Sequence, residues 1–525
     1  MFHTTSADEC IPYSLAQAES LDKHSDQPLT IGTISIDTAD VFDLSKPSEQ
    51  TFLHRWANKI HIETRDSTVR QQLLFKEGDA FSLQKLQETE RHLRADRYLK
   101  DASVVPVERC GDKLNITIKT TDKWTLTPGV SFGRSGGNNR SGVEIQEHNL
   151  LGLGKSLSLS YKNQTERNST LLSYLAPQLF GSRKRLFLSF EDNSDGKGHT
   201  VDFGLPFYAL DTHRAWGISS SSFTQDNSIY ENGNVISKVS QKNDTHSVFY
   251  GWSKGLQDDH VSRFKVGWQY TSNDFGTATN VTNQPLSVVE SYPWLKYEYT
   301  QDKFTKRTNY KTMGQIEDVQ LGLNYSTGVG LLNEQFGSDD NQLLLTAQLS
   351  KGYELSQDSL GFLRFGIDSY LGNGVLEGEK LTLQGEWYAF NDTGNSWYFS
   401  GLLNEQSNLL PGEQIVLGGE TGLRGYPTGF QAGDKSVLLT AERRFHFNWY
   451  PLHIAKFGAV AFVDAGTAWG GDNDARLLGD VGFGLRMVPT RSSSAKTIHL
   501  DFAVPLNERS SIGSFQFLIK TRNSF

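Results

Sequence analysis

Residues 436–447 read SVLLTAERRFHF, and this stretch decides the fold class of the chain. Apolar residues recur at every second position, while the positions between them are mostly polar. Successive side chains of a β-strand point to opposite faces, so this period predicts a strand between an apolar and a polar environment. The predicted apolar face carries Val437, Leu439, Ala441, Phe445 and Phe447. The predicted inward face carries Thr440, Glu442, Arg444 and His446.

The same alternation recurs from Lys123 to the end of the chain, in segments that short polar turns separate. Clear examples are KSLSLSYK, KRLFLSFE, SRFKVGWQY, KLTLQGEWYAF and TIHLDFAV. A soluble β-sandwich alternates in the same way, but it closes within ~100–250 residues, and this region runs for roughly 400. Aromatic residues such as Trp449 and Tyr450 stand at segment ends, where they would form the girdle of a membrane barrel. We therefore expect a mainly β protein, in which residues 122–525 form an antiparallel transmembrane β-barrel.

The composition supports many strands and excludes several other classes of protein. The 525 residues include 49 glycines and 31 phenylalanines but only 3 methionines, and the mean hydropathy is -0.46. No window approaches the ~18 consecutive apolar residues of a membrane-spanning helix, whereas a barrel crosses with strands of about 9–11 residues. The formal net charge is -9 and no dense Lys/Arg run occurs, so we expect no nucleic-acid partner.

Two short stretches match motifs of known enzymes in part, but their surroundings in the sequence do not support an active site. GRSGG at Gly133–Gly137 matches the hydrolase pattern G-x-S-x-G, but it lies in a predicted hairpin turn rather than at a strand-to-helix elbow. LGKSLSLS at Leu153–Ser160 is similar to a phosphate loop, yet Asn149 occupies the position of its first required glycine. The 13 histidines show no HExxH zinc spacing. We therefore predict no enzymatic activity, no cofactor and no metal.

The first 28 residues predict a disordered N-terminal extension. AQA at Ala16–Ala18 is similar to a signal-peptidase site, but residues 1–15 contain no apolar core to precede it. A leader upstream of Met1 and a chance match both stay open. Cys10 and Cys110 are too few for a disulfide framework, and one disulfide between them or two unpaired thiols are the alternatives.

Residues 29–121 predict a small α+β domain. LTIGTISI alternates as a strand, DSTVRQQLLF predicts a short helix, and FSLQKLQETERHLRADRYL predicts a longer helix that Ser82 caps. SVVPV and KLNITIKT then predict two strands. This order, together with the phrases LLFKEGDAFS, LRADRYLKDASV and TDKWTLTPG, resembles a POTRA domain, and a generic module of the same topology is the alternative.

A glycine-rich loop, GGETGLRGYPTGF at residues 418–430, carries a single cation, Arg424. In the segment KFGAVAFVDAGTAWG, alternate side chains point inward, and Asp464 is one of them. We therefore expect Asp464 to face the same interior as Glu442. A buried carboxylate is costly without a partner, and a guanidinium fork is the group that suits it best. We therefore expect the loop to fold into the barrel, where Arg424 bonds Glu442, Asp464 or both while Tyr426 packs against the wall.

These segments resemble the BamA/TamA family of outer-membrane proteins, which includes barrel-assembly factors and two-partner-secretion translocators. The family's Arg-Gly-aromatic loop motif matches Arg424, Gly425 and Tyr426. Its Phe-x-Asp-x-Gly strand motif matches Phe462, Asp464 and Gly466. The resemblance implies about sixteen barrel strands, whereas counting every alternating segment brings the number nearer to about twenty. It also implies a weak seam between the first and last strands, here TLTPGVSFG and SFQFLIKT, where client strands pair.

The chain ends in a strand signal that is typical of outer-membrane barrels. In SFQFLIKTRNSF, residues 514–525, the aromatic positions Phe515, Phe517 and Phe525 all have odd numbers. We expect them to share one face of the last strand. An aromatic terminal residue after an alternating strand supports the barrel.

The sequence therefore favours an outer-membrane protein of a Gram-negative bacterium, whose POTRA domain lies in the periplasm and passes polypeptide to a gated barrel. The expected partners are outer-membrane lipid, unfolded β-barrel or secreted polypeptide clients, and a periplasmic accessory protein. The chain has one POTRA-like unit, whereas the better-known members of the family have two to five. Because partners dock on these units, the sequence leaves open whether an accessory protein binds. The alternatives are a passive pore or envelope-integrity barrel, and a translocator dedicated to one secreted partner, since fold alone does not decide among them.

Overall fold

The computed structural model describes residues 10–21, 29–278, 286–408, 410–471, 473–494, 496–522 and 524–525. These residues form a small α+β domain followed by a closed antiparallel β-barrel. Within the described ranges, no helix combines the length and the apolar character that crossing a bilayer needs. The mainly β fold that the alternating segments predicted is confirmed.

The small domain contains a four-stranded sheet and four α-helices in its described residues. Its elements are β1 (Cys10–Pro12), α1 (Leu15–Leu21), β2 (Thr30–Ala39), α2 (Phe52–Ile60), α3 (Asp66–Arg70), α4 (Leu83–Ala95), β3 (Leu99–Cys110) and β4 (Lys113–Asp122). The strand order in the sheet is β1-β3-β4-β2. β2 runs parallel to β4, and the other neighbouring pairs are antiparallel. The expected order of strand, two helices and two strands is present, and α2 is an additional helix that the sequence pattern did not reveal.

The core of the small domain lies between α4 and the sheet. The apolar residues of β4 alternate and are fully buried: Leu114, Ile116 and Ile118. Leu86 and Leu93, about two turns apart on α4, pack in the same cluster. The Oγ of Ser82 accepts a hydrogen bond from the Lys85 amide at 3.3 Å, so the helix begins at a capping serine.

Residues 10–21 do not form the disordered extension that we expected. β1 forms one edge of the sheet and pairs with β3, and Cys10 forms a disulfide bond with Cys110, its partner in the register. The stretch AQA lies in α1, where Ala18 is fully buried. A strand of three residues and a helix of seven are too short to show a period in sequence. Residues 1–9 and 22–28 lie outside the described residues.

The second part of the chain contains twenty-four further strands in the described ranges. Their bounds are β5 (Leu126–Ser135), β6 (Asn138–Glu147), β7 (Ser156–Asn163), β8 (Asn168–Ala176), β9 (Arg185–Asn193), β10 (Gly196–Leu205), β11 (Arg214–Glu231), β12 (Asn234–Gln257), β13 (His260–Ala278), β14 (Val288–Gln301), β15 (Phe304–Thr308), β16 (Ile316–Gln320), β17 (Asn324–Leu332), β18 (Gln342–Ser356), β19 (Ser359–Gly372), β20 (Val375–Phe390), β21 (Ser396–Ser407), β22 (Ile415–Leu417), β23 (Gln431–Gly433), β24 (Lys435–His446), β25 (Ala455–Trp469), β26 (Leu478–Pro489), β27 (Thr497–Pro505) and β28 (Gln516–Arg522). A short helix, α5 (Arg509–Ile512), lies between β27 and β28.

Twenty of these strands form the closed ring in the described part of the chain, and β28 returns to β5. This number agrees with the segment count, and the sixteen strands that the resemblance implied are too few. An even number of strands brings both ends of the barrel to the same side, where the small domain lies. The other four strands form two hairpins, β15–β16 beside the small domain and β22–β23 at the base of the glycine-rich loop.

The barrel wall separates its faces as the alternation predicted. On β24, Leu439 exposes 55% of its surface while Glu442 exposes 6%. On β25, Val463 is exposed and Asp464 is fully buried. The apolar side chains cover the outside of the ring and the charged side chains are enclosed, which is the arrangement that a lipid environment requires.

The three C-terminal aromatic residues do not share one face, so that expectation is wrong for Phe525. β28 ends at Arg522, and Phe525 lies beyond it in a buried position. Its ring centroid is 4.8 Å from that of His446, a residue on the inner face of β24. Phe517 lies within β28, whereas Phe515 precedes the strand and is exposed. Parity predicts a face only while the chain remains in the strand.

Candidate functional site

The loop of residues 418–430 doubles back between β22 and β23 and occupies part of the barrel interior. Its first turn requires glycine at Gly418, where φ is +127° and an added Cβ would lie 1.9 Å from the Pro427 carbonyl oxygen. One apolar cluster joins the loop to the wall through Leu417, Leu423, Tyr426, Phe430, Ala468 and Leu478. This packing holds the loop in place around Arg424.

Arg424 bonds both carboxylates that sequence parity placed inside the barrel. Its Nε and Nη2 donate to the two oxygens of Asp464 at 2.6 and 2.9 Å, and its Nη1 donates to Glu442 at 2.9 Å. The Thr440 hydroxyl also donates to Asp464 at 2.9 Å. Because all three charged groups are buried, loss of one would leave its partners unpaired in a poorly solvated place. The sequence left open which acid pairs with Arg424, and the structure shows that both do.

Two further side chains complete this charge cluster. The guanidinium carbon of Arg424 lies 3.4 Å from the centroid of the Phe462 ring, a close cation–π contact. Arg444 donates its Nε to the second oxygen of Glu442 at 2.8 Å, so Glu442 lies between two arginines. Parity predicted that Arg444 faces inward, but its pairing with Glu442 depends on side-chain geometry that the period does not specify.

The two residues after Arg424 attach the loop to β26. The Gly425 amide donates to the Asp480 carboxylate at 3.0 Å, and a Cβ on Gly425 would lie 2.7 Å from the Asp480 Cβ. No side chain fits at this position without a shift of the wall. The Tyr426 hydroxyl donates to the Gly479 carbonyl at 2.9 Å. The Arg-Gly-aromatic segment therefore contacts three successive strands, and Asp480 is a site residue that sequence reasoning missed.

Only some of the residues singled out in the sequence lie together in the structure. Those in direct contact with Arg424 are Glu442, Asp464 and Phe462. Gly466 lies farther along β25, where an added Cβ would be 2.7 Å from the Val437 carbonyl oxygen of the neighbouring strand. Phe515, Phe517 and Phe525 belong to the last strand and its flanks, and of these the Phe525 ring centroid lies 5.3 Å from the guanidinium carbon of Arg444.

β28 and β5 close the barrel through a single registered pair in the described residues, Ile519↔Arg134. The neighbouring ladder between β27 and β28 pairs residues 497–503 with residues 516–522. Most backbone groups along the facing edges of β5 and β28 therefore lie outside a regular ladder. Such edges are templates for the addition of another strand.

The loop also spans this seam. The Glu420 side chain forms an ion pair with Arg140 of β6, and the Glu420 carbonyl accepts a hydrogen bond from Arg522 of β28 at 3.2 Å. The Thr428 amide donates to the Gly136 carbonyl, in the turn between β5 and β6, at 3.3 Å. The loop therefore holds both sides of the closure together. Glu420 and Thr428 were missed because neither differs in sequence from an ordinary solvated loop residue.

The small domain is attached to the β15–β16 hairpin and its approach by buried ion pairs. Arg94 donates from Nε and Nη2 to the two oxygens of Asp318, each at 2.8 Å. Arg91 donates to Asp302 at 2.8 Å, and its guanidinium carbon lies 4.3 Å from the centroid of the Phe304 ring. The sequence carries no signal for this contact, since each residue matches an ordinary charged surface position.

A second contact joins the small domain to turns on another part of the rim. Arg491, in the turn after β26, donates to Glu49 at 2.7 Å, and the His453 ring nitrogen lies 3.0 Å from the same carboxylate. Burial raises the pKa of the Glu49 carboxyl, but the His453 hydrogen bond and the Arg491 charge outweigh burial and hold the pKa below its ordinary value. The domain thus contacts separate points of the barrel rim.

A model of the Omp85 superfamily domain matches residues 149–523, which is more than half of the chain. The curated relative named outer membrane protein assembly factor BamA, from Nitratidesulfovibrio vulgaris, is 27% identical over 192 residues. That alignment covers 34% of this chain and 24% of the relative, so the match spans about a quarter of the relative's length.

Three solved structures are similar to the chain. The crystal structure of BamA from Haemophilus ducreyi lacking POTRA domains 1-3 is 15% identical with a TM-score of 0.39, and the match covers 93% of this chain and 83% of that one. CdiB from Acinetobacter baumannii is 14% identical with a TM-score of 0.46, covering 97% and 77%. CdiB from Escherichia coli is 15% identical with a TM-score of 0.49, covering 94% and 76%.

Proposed function

The chain belongs to the Omp85 superfamily, and on that premise we propose that it inserts polypeptide clients into a bacterial outer membrane or moves them across it. The observation that carries this proposal is the seam, where one registered pair joins β28 to β5. A client segment in extended conformation adds to such an edge through backbone hydrogen bonds, which do not depend on its side chains. A seam of this kind therefore suits clients of many sequences.

The loop controls how easily the seam opens. Separation of β5 from β28 breaks one registered pair and the loop contacts of Glu420 and Thr428, rather than a complete ladder. The Arg424 cluster keeps the loop attached to β24, β25 and β26 while these contacts break. The lumen thus remains braced on one side of the closure while the other side separates.

The small domain acts as a POTRA unit in the periplasm. It receives the polypeptide, with or without an accessory protein, and its ion pairs with the β15–β16 hairpin hold it at the barrel entrance. Because these ion pairs hold the domain beside the rim, a polypeptide segment bound to the domain would lie close to the barrel. Outer-membrane lipid surrounds the apolar outer face of the wall.

Cysteines that lock the seam test this function. Arg134→Cys with Ile519→Cys joins the two strands at their registered pair. The matched control, Phe132→Cys with Ser141→Cys, joins a registered pair of the regular β5–β6 ladder. Each double variant is expressed in a deletion strain, and the outer-membrane and secreted proteomes are quantified. Clients are captured in parallel by photo-crosslinking from a probe on β28.

The seam lock should abolish complementation and client crosslinks, and the control lock should preserve both. Loss of several unrelated barrels in the deletion strain would indicate general assembly, and loss of one secreted protein would indicate a dedicated translocator. Full complementation by the locked seam, shown to be oxidised by mass spectrometry, would contradict the proposal.

One observation favours a second function, a pore for small solutes. A cavity of about 1090 Å³ lies in the half of the lumen away from the small domain. Its polar lining includes Gln225, Asn243, Glu290, Glu377 and Lys380. A pore would show steady conductance with the seam locked, together with an unchanged proteome in the deletion strain.

A further inference from the structure

Arg443 lies on the outer, lipid-facing side of the barrel wall. It alternates on β24 with the inward residues Glu442 and Arg444. Its partner in the β21–β24 ladder is Trp397, and its guanidinium carbon lies 5.2 Å from the centroid of that ring and 5.5 Å from that of Phe445. Among the described residues, the Arg443 side chain forms neither a hydrogen bond nor an ion pair, so the protein supplies no counter-charge to it.

The depth of Arg443 in the wall identifies what it can reach. A cation on the lipid face is costly at the bilayer midplane and is tolerated near the interface. β24 ends at His446, three residues after Arg443, and Trp397 is the second residue of β21. Both side chains therefore lie in the aromatic girdle at the barrel end that carries the small domain. At that depth a long cationic side chain extends to the lipid phosphates.

A groove of about 640 Å³ crosses the outer wall next to Arg443. Gly385 and Gly401, which are partners in the β20–β21 ladder, leave the space that larger side chains would fill. The exposed ring of Phe399 lines the groove, and so does Ala441, which precedes Arg443 by two positions and shares its face. An apolar channel thus runs up to a cation that has no counter-charge among the described residues of the protein.

We propose that Arg443 and this groove bind one glycerophospholipid of the membrane around the barrel. The phosphodiester accepts hydrogen bonds from the Arg443 guanidinium, whose planar fork suits phosphate oxygens. One acyl chain lies in the groove over Gly385 and Gly401, where it replaces contacts that side chains would otherwise make. The site goes beyond the proposed function, because it does not depend on which client the barrel handles or on the seam.

Native mass spectrometry of the 525-residue chain in neutral detergent tests the site, with phosphatidylglycerol as the titrated probe. Diacylglycerol, which has the same chains and no phosphate, is the matched ligand control. Arg443→Gln removes the charge, and Arg443→Lys retains it. Gly385→Leu fills the groove without a clash, since no atom lies within 4 Å of the position of its Cβ. Arg214→Gln is the protein control, because Arg214 lies on the outer face opposite Trp252 and outside the groove.

Binding of phosphatidylglycerol should weaken about fivefold to tenfold in Arg443→Gln and in Gly385→Leu, and remain near the wild-type level in Arg443→Lys and Arg214→Gln. Diacylglycerol binding should respond to Gly385→Leu and not to Arg443→Gln. A heat-modifiable gel shift confirms that each variant is folded, and Gly401→Leu replaces Gly385→Leu if the latter does not assemble. Equal losses in Arg443→Gln and Arg214→Gln would overturn the proposal, as would wild-type binding in both groove variants.

Discussion

Arg424 and Asp464 form a two-point contact, in which two nitrogens of one guanidinium donate to both oxygens of one carboxylate at 2.6 and 2.9 Å. A loop contributes the cation and strand β25 contributes the acid. A third nitrogen reaches Glu442, so the position and the orientation of the loop are both defined. Arginine is the side chain whose donors can make these contacts together.

Replacement of Arg424 by Gln should destabilise the barrel by about 3–5 kcal/mol, because two buried carboxylates lose their shared partner. Arg424→Lys should recover only part of this loss, since an ammonium is a point charge without the fork. The measurement is the urea midpoint of the heat-modifiable gel shift. The matched control is Arg140→Gln, which breaks a solvent-accessible ion pair to Glu420 of the same loop and should cost less than about 1 kcal/mol. Assembly of Arg424→Gln at the wild-type level with an unchanged midpoint would refute this role of the cluster.

Two acids that face each other should respond differently to neutralisation. Asp464 and Asp480 are partners in the β25–β26 ladder, and both are fully buried. Asp464→Asn removes half of the contact with Arg424 and should destabilise the barrel strongly. Asp480→Asn keeps an oxygen for the Gly425 amide and removes a like charge opposite Asp464, so its stability should equal or exceed that of wild type. Matched urea unfolding curves of the two variants decide this, and equal destabilisation by both would contradict it.

The small domain should be held by Arg91 and Asp302 as a pair. Arg91→Asp and Asp302→Arg should each loosen the contact with the barrel, because each leaves like charges beside one another. The double variant should recover part of the loss, with a coupling energy of about 0.5–3 kcal/mol. Hydrogen exchange of α4 in the membrane-embedded chain measures the contact. The exposed pair Lys197 and Asp192, at the far end of the barrel, provides a charge-swap control.

The contribution of Glu88 to the contact between the small domain and the barrel should weaken as pH rises above the ordinary pKa of a glutamate. Glu88 of α4 accepts a hydrogen bond from the Leu210 amide of a barrel turn at 2.7 Å, and burial raises its pKa above the ordinary value of 4.5. The docked state therefore binds the proton more tightly than the undocked state does. This contribution is fully present below about pH 4.5, is lost as pH rises through the raised pKa, and is constant above it, whereas the Glu49 contact with Arg491, whose acid has a lowered pKa, has the opposite pH dependence.

Glu88→Gln should remove this dependence and tighten docking at neutral pH, because the amide oxygen still accepts from Leu210 without a buried charge. Hydrogen exchange of α4, recorded across acidic and neutral pH, provides the comparison. Glu108→Gln is the control, since Glu108 lies on β3 away from the barrel and should leave the profile unchanged. A pH profile identical to wild type in Glu88→Gln would show that another group is responsible.

The sequence by itself determined the barrel, its membrane-facing and inner sides, and the enclosure of Glu442 and Asp464. These properties follow from the period of two in an extended chain, which is local and can be read along each strand. The same reasoning indicated that Arg424 needed a buried partner, because an enclosed charge without one is too costly. It failed at Phe525, where the strand ends before the last residue.

The tertiary structure alone decided which groups meet across long separations. Arg424 pairs with two acids at once, Glu420 reaches the strands on both sides of the seam, and Arg94 bonds Asp318 of the β15–β16 hairpin. Each contact depends on ring closure, strand register and loop path, which no local period encodes. Arg443 alternates with inward residues on β24, but only the groove beside it distinguishes it from other cations of the girdle. Local periodicity determines which way a side chain points, whereas closure of the barrel determines what it meets there.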